Sequence, residues 1–145
     1  MEIVINTCYG GFGLSNFATE ELLRRKGKEC YWYKQTEYSF ENNESKNVYV
    51  KVGTPSEHSS FGYHCVSKDH GDKTNKLEND FYVYFSGDKV RTDPDFIAMI
   101  KEFGAEKCNG TFAELKIVKI PDDVQWEIDD YDGIETIHEV HRSWY

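Results

Sequence analysis

The chain has 145 residues, 39% of them hydrophobic and 15% aromatic, with a net charge of −9. That length supports one domain, residues 1–145, with a real core, and 10 Tyr and 9 Phe argue against disorder and for a strand-rich fold. A field of that sign repels duplex DNA and RNA, while leaving room for a local pocket that takes one nucleotide.

No segment is long and apolar enough to span a membrane, and no basic patch with a long apolar stretch opens the chain, so a cytoplasmic protein is expected. Cys8, Cys30, Cys65 and Cys108 are widely spaced without a C-x-x-C, which reads as free thiols rather than a zinc site or disulfide frame.

Residues 2–7 form the first predicted strand. Tyr9, Gly10, Gly11, Phe12 and Gly13 follow as a glycine loop, and Ser15 is the expected N-cap of a helix over 16–26. Leu14, Phe17, Ala18 and Leu22 make that helix's apolar stripe, and Gly27 stops it. Arg24, Arg25 and Lys26 fall in the last turn, where cations suit the helix dipole, so they read as helix termination before an anion site.

Cys30–Tyr33 predicts a second strand, 34–47 a polar loop, 48–52 a third strand, and 61–66 a fourth. Residues 67–80 read as a loop and Phe81–Phe85 as a buried strand. Asp93 as N-cap and Pro94 at the first helical position start a second helix. Phe96, Met99, Ile100 and Phe103 line its apolar face, and Gly104 ends it. A strand over 115–120 and a hairpin turning at Asp132-Gly133 complete the chain. This order predicts an α+β fold, two helices packed on a largely antiparallel sheet, with a C-terminal β-meander or hairpin.

The strand–glycine loop–helix junction is the best candidate site. Glycines let the backbone take positive φ and approach a ligand, and the helix start favours an anion. Asn16 stands where the dinucleotide fingerprint has its third glycine, and no Gly-Lys-Ser/Thr is present, so neither familiar nucleotide loop is matched. The loop therefore reads either as a phosphate cradle or as a tight turn. As a cradle, Gly10, Gly11 and Gly13 would offer N–H groups, and Thr7, Ser15 and Asn16 side-chain hydrogen bonds. Arg91 or Arg142 would supply charge, and Tyr9 or Phe12 a surface for a base.

Cys8 with His138 or His141 is the alternative hydrolase pair. His138 and His141 lie three apart on a predicted strand, which points them to opposite faces, so no metal site and no cofactor are expected. Residues 121–140 hold eight carboxylates and no Lys or Arg. Alternate carboxylates on a strand recur about every 6.6–6.8 Å, close to phosphate spacing, so this run reads as a solvated face or as a nucleic-acid mimic that binds a basic host protein.

The run Ile5-Asn6-Thr7-Cys8-Tyr9-Gly10-Gly11-Phe12-Gly13-Leu14-Ser15 resembles a family of small bacteriophage and prophage proteins. Asp93-Pro94 and the C-terminal stretch from Ile120-Pro121-Asp122-Asp123-Val124 through Trp126, Tyr131-Asp132-Gly133, His141-Arg142 and Trp144 carry the same resemblance. It implies a phage origin and supplies no established activity. Phage accessory proteins of this size are often counter-defence factors, some of which sequester a nucleotide-derived immune signal as homo-oligomers. A small nucleotide-like ligand, a host defence protein and a second copy of the chain are the partners this leads us to expect.

Overall fold

The computed structural model describes residues 1–41, 44–55, 62–78, 81, 85 and 89–140, and for 38–41 and 44–46 the backbone alone. It is an α+β fold with antiparallel pairing throughout the described strands. The elements are β1 (Glu2–Asn6), α1 (Asn16–Arg25), β2 (Tyr31–Glu41), β3 (Glu44–Val52), β4 (Tyr63–Val66), β5 (Lys73–Thr74), a 3-10 turn (Val90–Thr92), α2 (Pro94–Phe103), α3 (Ala105–Cys108), β6 (Leu115–Lys119), β7 (Trp126–Tyr131) and β8 (Ile134–Glu139). They form three sheets: β1-β6, β4-β2-β3-β5 and the hairpin β7-β8.

The α1 start follows its sequence. The Ser15 Oγ accepts from Ala18 N at 3.1 Å and donates to Lys107 O at 2.7 Å, so one hydroxyl caps α1 and ties it to α3. Ser15→Ala should lower the unfolding free energy by about 1–2 kcal/mol, measured by urea denaturation. The basic cluster at the end of α1 serves the fold. Burial pushes the Glu21 carboxyl up, but hydrogen bonds from Arg24 and Arg25 outweigh it and hold it below the usual range. The Lys26 Nζ lies 2.6 Å from Asp93 and 2.9 Å from Asp95, joining the end of α1 to the start of α2.

At α2, Asp93 accepts from Asp95 N at 2.9 Å and Pro94 fills the first turn. Phe96, Met99 and Ile100 are buried against Val4 of β1, Ala18 and Leu22 of α1, Cys108 of α3 and Leu115 of β6. Each such large apolar side chain contributes about 1.5–3 kcal/mol by leaving water. This core sits directly behind the glycine loop, because β1 and α1 flank the loop and both belong to it.

Among the described residues, the strand expected at 115–120 does not join the C-terminal hairpin in a meander but pairs with β1, and the loop expected over 67–80 contains β5. Residues 34–47, expected as a loop, are strand in β2 and β3 wherever described, paired from Trp32↔Val52 to Glu41↔Glu44 with an irregularity between Gln35 and Glu37. Most of its residues are polar, and the Asn42-Asn43-Glu44-Ser45 run carries no apolar position, so the sequence pattern reads as loop. Residues 82–84 of the strand expected at 81–85, Phe61 of the fourth strand, and His141 to Tyr145 lie outside the described residues.

Candidate functional site: the glycine-loop groove

Asn6, the last residue of β1, is fully buried and organises the loop. Its Nδ2 donates to Cys8 O at 2.7 Å and to Gly133 O at 2.6 Å, and its Oδ1 accepts from Glu114 N at 2.8 Å. Its backbone N–H donates to the Glu135 carboxylate at 2.7 Å. The sequence reading passed over Asn6 as a site residue. Its signal was a polar amide closing an apolar run, where a buried position demands that every donor and acceptor be met.

Gly10 and Gly11 both take positive φ, 116° and 115°. The Gly10 N–H donates to Asp132 O at 3.0 Å, so the tip of the β7–β8 hairpin rests on the loop. A Cβ on Gly10 would lie 2.6 Å from Phe112 Cβ, one on Gly110 would lie 2.8 Å from the Gly13 carbonyl carbon, and one on Gly133 would lie 2.3 Å from Gly11 N. The three segments thus meet at Gly10, Gly110 and Gly133, which leave no room there for a Cβ. Across the neighbouring bridge, Gly110 N donates to Gly13 O and Ser15 N to Cys108 O, both at 2.9 Å.

Between the loop and the 110–113 turn runs a groove of about 280 Å³, lined by Gly10 to Leu14 and Gly110 to Ala113. The backbone N–H groups of Gly11, Phe12 and Gly13 have no hydrogen-bond partner among the described residues. Gly13 has neither a positive φ nor any atom within 4 Å of an added Cβ, so the fold places no demand for glycine there. Three exposed aromatics belong to the three touching segments: Tyr9 (65% exposed), Phe112 (70%) and Tyr131 (76%).

The sequence-predicted residues divide. Tyr9 and Gly10 to Gly13 stay together at the groove and its edge. Thr7 is engaged elsewhere: its N–H and its Oγ1 both donate to Glu114 O, at 2.8 and 3.1 Å. Ser15 is occupied as the cap described above. Asn16 is buried at the first turn of α1 and lines a different cleft, beside Thr19 and Trp32. Phe12 packs edge-on against Phe96 and lies under the Arg91 guanidinium, 3.6 Å from it, so its ring is core. Arg91 therefore reaches the loop. Its charge, however, is held by a bidentate pair with Glu135 at 2.5 and 2.7 Å, and it also donates to Val4 O. Arg142 lies outside the described residues, and among the described residues no Lys or Arg lines the groove.

The hairpin's acidic run is divided by its pleat. Glu135 is buried against Arg91 and Asn6. Glu127 and Asp129 lie on the outer face with His138, which is the cross-strand partner of Glu127. The His138 Nδ1 is 3.0 Å from Asp129, and its Nε2 contacts Glu127. These three residues are the set among the described side chains whose ligand atoms are close enough to share a cation. The imidazole is thereby occupied by carboxylates, and among the described residues no hydrogen bond joins it to Cys8.

No family model matches the chain, and neither a curated protein nor a solved structure matches it. Among the described residues, no helix is long and apolar enough to cross a membrane.

Proposed function

We propose that this chain is a non-enzymatic, phage-type binding protein that holds a phosphate-bearing nucleotide or nucleotide-derived signal in the glycine-loop groove, acting as a counter-defence sponge. The observation that carries this reading is the run of unpartnered N–H groups from Gly11 to Gly13 along an open groove, with Gly13 free of any structural demand for glycine. Backbone amides at a strand-to-helix junction suit an anion, and exposed Tyr9 and Phe112 give a base a face to stack on. Arg91 is spent on Glu135, so the amides and the α1 dipole carry the anion recognition. The acidic surroundings favour a ligand of low charge. Sequestration rather than turnover is the expected behaviour, since Cys8 and His138 are not joined as nucleophile and base.

Calorimetric titration with a panel of cyclic and linear nucleotides tests this. Wild-type protein should give saturable heat with at least one of them, and chromatography should recover that nucleotide unchanged. Gly13→Ala should keep its thermal midpoint within about 2 °C, because the added methyl meets open space, yet bind at least tenfold more weakly. No heat from any nucleotide overturns the reading.

A second reading has one observation of its own. Exposed Tyr131 stands among exposed Asp129, Asp130 and Asp132 at the hairpin tip, an acidic-aromatic patch suited to a basic protein surface. Binding of that kind would weaken steeply with salt and vanish when these carboxylates become amides, while Gly13→Ala would leave it unchanged.

A further inference from the structure

A larger cavity, about 530 Å³, opens between the first two turns of α1 and the β4-β2-β3-β5 sheet, within the usual range of about 300–1,000 Å³ for small-molecule sites. Register places Trp32 opposite Cys65, and Lys34 opposite Tyr63, so Trp32, Cys65 and Tyr63 share one face of the sheet. Asn16 and Thr19 of α1 line the same cleft as these residues. β4 is the outer strand, and the cleft continues round it to His64 and Tyr49, whose rings meet edge to face at 5.3 Å.

Three features define what fits. Trp32 is only 5% exposed, and its indole N–H is buried without a hydrogen-bond partner among the described residues. A donor in that state costs about 1–3 kcal/mol; because the nitrogen is closed off from water, a ligand acceptor reaches it, and recovers that cost, only as the cleft wall around Trp32 opens. The walls are aromatic, which suits a flat ring. Among the described residues that line the cleft there is no Asp, Glu, Lys or Arg; Lys34 shares this face of the sheet, but its Nζ is engaged over the Tyr63 ring, 5.5 Å from the centroid, so the lining itself offers no full charge to a ligand. Desolvation by its surroundings holds His64 below the ordinary imidazole range, which keeps that end neutral as well.

We infer that this cleft is a second binding site, separate from the glycine-loop groove, for an uncharged planar heterocycle whose carbonyl or ring nitrogen accepts a hydrogen bond from the Trp32 indole N–H. A nucleobase or nucleoside has this chemistry. A phosphate does not, and neither does a plain hydrocarbon ring.

The indole N–H signals of the three tryptophans in a ¹H–¹⁵N spectrum report on this directly. Adenosine and uridine are the probes, and indole, which is flat and aromatic but lacks an acceptor, is the control. The Trp32 signal, identified by its loss in Trp32→Phe, should shift saturably with at least one nucleoside while the Trp126 signal stays fixed. Indole should bind at least tenfold more weakly. Trp32→Phe should weaken nucleoside binding about tenfold, and Thr19→Met, which fills the mouth from α1, should abolish it, so the test survives if Trp32→Phe fails to fold. Gly13→Ala should change nothing here, which separates this site from the groove. A Trp32 signal unmoved by both nucleosides, a shift that persists in Thr19→Met, or indole binding as tightly as the nucleosides overturns the inference.

Discussion

Glu135→Ala should lower the unfolding free energy by about 3–5 kcal/mol, the range for stripping one partner from a buried ion pair. Glu135 and Arg91 are both largely shielded from solvent, and the variant removes three bonds at once: two from the Arg91 guanidinium and one from the Asn6 N–H. It leaves a guanidinium over the Phe12 ring with no anion, inside the contact between β1 and the hairpin. The double variant Arg91→Met with Glu135→Leu should recover most of the loss, because no charge is then stranded. Urea denaturation of the two single variants and the double variant measures both numbers. A cost under about 1 kcal/mol for Glu135→Ala would mean that the pair is open to water.

Gly133→Ala is the second large effect. The residue has φ 92°, and its added methyl would lie 2.3 Å from Gly11 N and 2.6 Å from Gly10 N. Both obstacles are backbone, so no side chain can swing aside. The cost should be about 3 kcal/mol, from left-handed strain together with a displaced hairpin tip. Gly11→Ala carries the strain of φ 115° without the collision and should cost less, and Gly13→Ala carries neither. Thermal unfolding should therefore rank Gly133→Ala as the most damaging, then Gly11→Ala, then Gly13→Ala near wild type. Any other order contradicts the packing of the three segments.

Much of the scaffold was legible because its signals are local. Ser15 before an apolar stripe, Asp93-Pro94 before another, and Asp132-Gly133 between two strands each mark an element boundary through chemistry within a few residues. The inner part of the β2–β3 hairpin was hidden because residues 34–47 are mostly polar, and only Tyr38 and Phe40 hint at a strand. The candidate site was half legible. The glycine loop could be located, but the reason for each glycine could not, since Gly10 is set by Phe112 and by Asp132 O, about a hundred positions or more away. Likewise Arg91 read either as an anion contact or as a salt bridge to a neighbouring Asp, because its actual partner Glu135 was one carboxylate among eight in an acidic run. The cleft at Trp32 left no trace at all. Its walls come from α1, β2, β3, β4 and residues 77, 81 and 85, and an unsatisfied indole N–H has no sequence signature.

Asn6 bonds to Glu135 across 129 positions and to Gly133 across 127. During synthesis the glycine loop therefore emerges more than a hundred residues before the partners that seat it. Closures over such distances are slow, because the entropy of joining the ends is lost before the contacts form. The groove is thus a late product of folding, complete only once residues 133–135 have joined β1. A ligand held there would act as a latch on the whole fold, raising the unfolding temperature as its concentration rises.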